Sequence, residues 1–402
     1  MRHSIESLRV LGAGIFSLIL TLGIARFAYT PLLPVMQGQT WLDDAGGGWL
    51  ATFNYMGYMT GALIAASVSD LVLKDRLYRG GLVIAVLSTA LMAFTEDQVL
   101  WSILRFIAGL SSAAGLLIGS GLILNWLIRH QYRNELGIHF SGLGLGIVLT
   151  AVAVEWMISR FDWSEQWLAF ALIGVVLMVP AWRWLPRPDT SPIVHNGKQV
   201  HDTPPDRNWM LLLFASYFCA GVGYVVSATF VVTLVEARPS LQGYGWLAWL
   251  VVGLAAAPAC FFWDLVARRI GDLKALLIAY GFQIVGILLP ALDDRLPMVL
   301  LSALLYGGTF IGIVSLMLTM VGRFFPSKPA KPMGKLTLSY GVAQIVAPAI
   351  SGVMAQQTGS YDGSLYMASA VMVLGMLLML MLMLMLMQME HPTDKHRREM
   401  AG

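Results

Sequence analysis

Along the chain, apolar runs of close to 20 residues alternate with short breaks rich in charge, Pro or Gly, from one end to the other. A helix rising 1.5 Å per residue needs about 20 residues to cross a hydrocarbon core ~30 Å thick. Taking each break as a boundary predicts twelve spanning helices, at about 9–35, 48–69, 79–95, 98–128, 136–158, 165–184, 208–236, 244–263, 274–291, 296–322, 335–357 and 363–388. One break is long and hydrophilic. The stretch 185–207 is crowded with Pro, Asp, Thr, His and Asn and reads as a linker. The pattern divides the chain into an N-terminal six-helix bundle (1–184), a linker (185–207), a C-terminal six-helix bundle (208–390) and a tail (391–402). The expected fold class is an all-α membrane protein with twelve transmembrane helices in two pseudo-symmetric bundles.

Composition narrows the class. Of 402 residues, 57% are hydrophobic and 12% charged, about half the charge fraction of a soluble protein, which excludes a soluble enzyme. A net charge of +3 spread along the chain gives no electrostatic footprint for nucleic acid. Cys219 and Cys260 sit alone in apolar runs, without metal or disulfide spacing. The first apolar stretch lacks a small-residue cleavage site and is expected to remain as the first span. No G-x-x-x-x-G-K-[ST] loop occurs, so the chain has no such site for ATP.

Charge also orients the helices. Of the 26 Lys and Arg residues, 21 fall on the linker side and only Arg160, Arg238 and Arg295 on the other. The excess of basic residues on cytoplasmic loops then places both termini and the linker in the cytoplasm of a multi-pass inner-membrane protein. The halves echo one another. After the second helix stands Asp70-Leu-Val-Leu-Lys74-Asp75-Arg76, and after the eighth Asp264-Leu-Val-Ala-Arg268-Arg269. The fourth and tenth helices open after Asp97 and Asp294. Duplicated halves of the same direction are a signature of transporters that rock two bundles around a central site.

These features resemble the major facilitator superfamily. Ala66, Val68 and Asp70 stand at the opening positions of its cytoplasmic loop motif, G-x-L-x-D-R-x-G-R-[KR], and Lys74, Asp75, Arg76 and Arg79 supply a displaced basic part. Arg105-x-x-x-Gly109 is similar to its fourth-helix element, and the run from Gly23 through Arg26, Tyr29 and Pro31 to Pro34 resembles the YbfB/YjiJ branch. The helix-five motif of proton-coupled drug antiporters, G-x8-G-x3-G-P-x2-G-G, begins at Gly137 and Gly146. It is then broken by Thr150, Ala151, Val154 and Glu155. The resemblance implies a transporter fold with a cavity between bundles, lined by the first and fourth helices among others.

Arg26 and Arg105 are the two Lys or Arg residues well inside predicted spans, away from their ends. A lipid-facing guanidinium costs at least ~2.5–3.5 kcal/mol, so both are expected to face the bundle interior. There they either clamp an anion together or bind a helix carbonyl or an acid and hold the bundle. Glu155 is the candidate for proton coupling, by pairing with Arg26, with an interfacial acid as the alternative. Asn54, Tyr58, Tyr217, Tyr224, Tyr306 and Gln344 are candidate substrate contacts, Tyr340 sharing a face with Gln344. Asp70, Arg76, Asp264 and Arg268 are candidate gate residues, against solvated loop charges. His139 and Glu236 read as helix-end residues near the membrane surface, and Trp41, Trp49, Trp101, Trp163 and Trp246 as interfacial anchors. Methionines alternating with Leu in the last helix are spread around it and read as lipid-facing filler, not a copper path.

The expectation is a secondary active transporter, not an enzyme. It moves a small anionic or zwitterionic organic solute by alternating access with protons, as a monomer in the lipid bilayer, without cofactor, metal or nucleic acid. The alternatives are an efflux pump for amphipathic compounds and a transport-like membrane sensor or assembly factor without flux.

Overall fold

In the computed structural model, which describes residues 5–130, 132, 136–189, 205–325 and 330–399, the chain is helical, and among those residues no strand forms. The helices are α1 (Ile5–Gln39), α2 (Asp44–Ser67), α3 (Leu71–Phe94), α4 (Gln98–Arg129), α5 (Leu136–Met157) and α6 (Trp163–Arg183). They continue with α7 (Arg207–Glu236), α8 (Gly245–Ala256 with Ala259–Ile270), α9 (Asp272–Leu292), α10 (Leu296–Phe324), α11 (Ala330–Thr358) and α12 (Asp362–Glu399). Ten are long and apolar enough to cross a membrane by themselves, and the two parts of α8 together make an eleventh. The remaining helix, α2, has 24 residues, a length for crossing, but glycines and polar groups dilute its hydropathy. Most of the linker lies outside the described residues.

Helix ends extend into charged stretches that the hydropathy pattern assigns to loops. Asp70 accepts from the backbone N–H groups of Val72 and Leu73, so α3 starts at Leu71 and carries the basic run on its first turns. The hydropathy pattern marks the apolar core of a span, not the polar turns that extend beyond it. In α8, Pro258 removes a backbone donor and the two parts meet at 46°.

Helix α1 packs on α3, α4, α5 and α6, α2 on α4, and α3 on α6; in the second half α7 packs on α11 and α12, α9 on α10 and α12, and α8 on α10. The halves meet where α2 lies on α11, α5 on α8, and α1 on α7. Close approach depends on missing side chains. A Cβ on Gly109 would stand 2.0 Å from the Asn54 carbonyl of α2, and one on Gly48 2.4 Å from the Pro348 carbonyl of α11.

Candidate functional site: a buried arginine in an aromatic cage

The chemistry of the site begins in the first helix. Between Ile19 and Phe27, α1 is wound as a π-helix, and α4 carries a second π stretch at Ala114–Gly119. Such wide turns recur at functional sites in helices. Arg26 closes the first stretch and is 5% exposed. Its guanidinium lies 4.3 Å from the ring centre of Tyr55, 4.8 Å from Tyr58 and 5.5 Å from Phe27. Its Nε and Nη2 have no hydrogen-bond partner. Cation–π contact offsets part of the cost of burying that charge, worth about 2 kcal/mol when desolvated. It leaves the Nε and Nη2 donors unsatisfied, and a buried donor without an acceptor costs about 1–3 kcal/mol.

The second half completes the cage. The Tyr224 ring stands edge-on to Tyr55 at 6.5 Å and stacks on Phe310 at 5.2 Å and Tyr340 at 5.8 Å. Tyr217 stacks on Tyr340 at 4.5 Å, and Tyr306 on Phe310 at 5.2 Å. The Tyr306 hydroxyl donates to the Tyr224 carbonyl at 2.7 Å, which ties α10 to α7. Two tyrosine rings of α2 thus face the Arg26 cation, and rings of α7, α10 and α11 continue the aromatic cluster behind Tyr55. Gln344 is buried with its Oε1 unpartnered, as is the Oδ1 of Asn54.

Arg105 is placed differently from Arg26. Its Nη1 donates to the Ala25 carbonyl at 3.0 Å and its Nη2 to the Arg26 carbonyl at 3.4 Å, with the guanidinium 4.4 Å from the Tyr29 ring. Asn54 Nδ2 in turn donates to the Arg105 carbonyl at 2.9 Å. The two arginines therefore do not stand as a matched pair of free guanidiniums in this conformation. Arg26 is open to an acceptor through Nε and Nη2, while Arg105 holds the backbone beneath it through both Nη groups and keeps an unpartnered Nε.

Above the cage, on the face away from the linker, a cavity of about 1050 Å³ is lined by Asp43, Asp44, Glu155, Glu236, Arg238 and Asp362, among others. Arg26 is not on its wall. Glu155 lines that cavity, is exposed, and forms no ion pair with Arg26. Glu236 accepts from the backbone of Gly243 and Gly245, both at 2.8 Å, and so ties the end of α7 to the start of α8. The Tyr361 hydroxyl donates to Asp44 at 2.6 Å and Gln356 Nε2 to Asp43 at 2.8 Å, joining the halves at the rim. Deeper, Thr30 donates to the Ala228 carbonyl at 2.6 Å, Thr52 to that of Ile345 at 2.7 Å and Trp249 to the Thr150 hydroxyl at 3.2 Å.

On the linker side, the contacts that Asp70 and Asp264 make are within their own helices: a helix cap, and an Asp264–Arg268 pair at 2.7 Å one turn apart. Arg76 is exposed. A contact that the sequence did not single out lies beside them. Asp75 is buried, bound by Arg79 Nε at 3.0 Å and by Arg187, while Arg79 donates to the carbonyls of Trp182 at 2.5 Å and Leu185 at 3.0 Å. This joins the start of α3 to the end of α6. His139, expected near the surface, is wholly buried, with Nε2 2.8 Å from the Ser120 hydroxyl. Gly14 leaves the room for it, since a Cβ there would stand 2.2 Å from its Nδ1. Trp101 and Trp163 are buried in a mutual edge contact, so of the five expected anchors these two are core residues.

Two sets of apolar helices that meet around a buried, incompletely bonded cation define a membrane transporter of the major facilitator type. The model of the family described as "Uncharacterised MFS-type transporter YbfB" matches residues 18–380, and the chain belongs to that family. Among curated relatives, the chain is 24% identical over 363 residues to the uncharacterized MFS-type transporter YceJ of Bacillus subtilis, covering 89% of this chain and 85% of that one. It is 24% identical over 350 residues to the gentisate transporter of Corynebacterium glutamicum, covering 84% and 79%. It is 26% identical over 171 residues to the niacin transporter NiaP of Acinetobacter baylyi, covering 42% and 38%. Two crystal structures of the nucleoside transporter NupG, one of a mutant, superpose with TM-scores of 0.75 and 0.71 at 13% identity, covering 94% of this chain and 99% of theirs. That likeness is one of fold alone.

Proposed function

We propose that this transporter moves small aromatic carboxylates across the cytoplasmic membrane by alternating access, coupled to protons. One observation carries the reading: a buried Arg26 with unpartnered Nε and Nη2, set among the rings of Tyr55, Tyr58 and Tyr224. A carboxylate supplies the acceptors those donors lack, through charge-assisted hydrogen bonds. An aromatic body stacks within the cage, gaining both apolar burial and ring contact. The relatives named for gentisate and niacin transport both carry aromatic acids by name, which agrees with this chemistry. Asn54, Tyr217, Tyr306 and Gln344 line or support the same region, and Glu155, in the outer cavity, is the candidate for proton exchange. Asp70, Arg76, Asp264 and Arg268 remain the candidates for gating on the linker side, with the termini and linker in the cytoplasm.

One observation favours export of amphipathic compounds as a second reading. The outer cavity carries five carboxylates, and its Arg238 is already paired with Asp362 at 2.8 Å. That mouth draws cations and repels anions. Uptake of labelled benzoate into proteoliposomes, with ethidium counterflow in parallel, separates the two. The aromatic-acid reading predicts benzoate uptake stimulated by an inward proton gradient and reduced about tenfold to a hundredfold in Arg26→Gln. It also predicts that Glu155→Gln blunts the response to the gradient. Ethidium flux without benzoate flux, or benzoate flux untouched in Arg26→Gln, overturns it.

A further inference from the structure

The turn that presents Arg26 is short of backbone donors. At the end of the π stretch the Ala28 N–H binds the Gly23 carbonyl at 2.8 Å, and the Leu32 N–H binds the Ala28 carbonyl at 3.1 Å. Between these two bonds lie four carbonyls, those of Ile24, Ala25, Arg26 and Phe27. Three residues, Tyr29, Thr30 and Pro31, stand opposite them, and Pro31 has no N–H. At least two of the four carbonyls must therefore look outside the helix for a donor. Arg105 brings two donors to this group, to Ala25 at 3.0 Å and to Arg26 at 3.4 Å.

Other contacts fix the same junction. The Tyr29 ring, one residue beyond the junction, lies against the Arg105 guanidinium, and Asn54 of α2 holds the Arg105 carbonyl. Seven residues further along α4, the Ser112 hydroxyl donates to the Thr21 carbonyl within the π stretch at 2.7 Å. On the opposite side Gly23 and Gly146 pack backbone to backbone, a Cβ on Gly23 standing 2.6 Å from the Gly146 Cα. Helix α1 is thus held at its widened turn by α4 and α5.

We infer that Arg105 is a positioning residue: it completes the hydrogen bonding of the π turn in α1 and so aims the Arg26 guanidinium into the tyrosine cage, without itself taking the substrate. The inference rests on the reading of Arg26 as the carboxylate-binding group. The side chain must be arginine, because one planar fork reaches two adjacent carbonyls, whereas a lysine ammonium keeps the charge but not that geometry. The role differs from that of a second anion ligand, for which positive charge near the site would count most.

Benzoate affinity of the purified full-length protein, measured for Arg105→Lys, Arg105→Gln, Arg26→Gln and the double variant Arg26→Gln/Arg105→Gln, tests it. Positioning predicts that Arg105→Lys loses about as much affinity as Arg105→Gln, on the order of tenfold. It also predicts that the double variant binds within about twofold of Arg26→Gln alone, because Arg105 acts through Arg26. Wild-type affinity in Arg105→Lys, or additive losses in the double variant, overturns the inference. Hydrogen exchange across residues 24–30, without ligand, decides the backbone part separately. Arg105→Gln is expected to speed exchange there on the order of tenfold, with a peptide of α7 unchanged as the control. Unchanged exchange at 24–30 overturns the inference even if no aromatic acid binds. Absence of benzoate binding to wild type, with exchange accelerated in Arg105→Gln, removes the substrate reading and leaves the backbone role of Arg105 standing.

Discussion

At the scale of single residues, the difference between Arg26 and Arg105 is a matter of acceptors. Both are buried arginines in contact with tyrosine rings, yet the two Nη groups of Arg105 bind carbonyls and leave only its Nε unpartnered, whereas Nε and Nη2 of Arg26 both lack an acceptor. Sequence placed both inside spans and left open whether each would take an anion or a carbonyl, since which acceptor lies within 3 Å depends on the register of α1 against α4. Tyr55 belongs to no motif, yet it lies three residues before Tyr58, a spacing that puts both on one helix face. Gly109 was legible as part of an Arg-x-x-x-Gly element, and its physical reason is the passage of α2 across α4. Gly109→Ala is expected to destabilise the protein by about 1–3 kcal/mol, because the added Cβ meets backbone that cannot yield. Gly80→Ala is the contrast: nothing lies within 4 Å, and the exchange removes a flexible residue from α3, a gain of up to about 1 kcal/mol. Unfolding in mixed detergent micelles compares the two directly.

Among the elements, hydropathy found the spans and missed their irregularities. The π stretch of α1 falls within a single predicted span, and hydropathy carries no record of hydrogen-bond register. The break in α8 had a visible cause in Pro258, but prolines also lie within α6, α9 and α11, so a proline alone does not announce a bend. Helix ends were more legible, since their caps are local. Asp162 accepts from the Glu165 N–H while Glu165 accepts from the Asp162 N–H, a reciprocal cap at the start of α6. Those hydrogen bonds, from the Glu165 backbone and the Ser164 hydroxyl, hold the Asp162 carboxyl below the usual carboxylate range. In the α9–α10 loop, hydrogen bonds from Arg295 hold Asp293 at about 2. A carboxyl depressed in the folded state stabilises it fully above its unfolded value near 4, and that contribution is lost as pH falls through the folded value. Thermal unfolding of wild type and of Asp162→Asn/Asp293→Asn should therefore differ at pH 7, and the gap should narrow as pH is lowered from 4 to 2. A constant gap across that range contradicts the assignment.

For the molecule as a whole, the bonds described between the halves, from Thr30, Thr52, Trp249, Gln356 and Tyr361, belong to the side away from the linker. The hydropathy pattern made the all-helical membrane fold legible in advance. Cross-half bonds were not, because they join residues as far apart as Asp44 and Tyr361. If the halves rock, these bonds hold one end of the swing. A hydrogen bond to a carboxylate contributes about 1.5–3 kcal/mol, so Tyr361→Phe should shift a two-state balance about tenfold or more towards separation at that rim. Spin labels at Gly38 and Gln357, both exposed, would report a growing population at longer distance. An unchanged distribution would show that the Tyr361–Asp44 bond is not part of a gate. The central claim, a carboxylate bound by Arg26 inside an aromatic cage, is tested most directly by ligand-induced stabilisation of the purified protein with benzoate and its uncharged counterpart benzamide. The account predicts a rise in melting temperature with benzoate that exceeds that with benzamide in wild type and disappears in Arg26→Gln. Equal shifts with the two compounds, or a benzoate shift retained in Arg26→Gln, would contradict it.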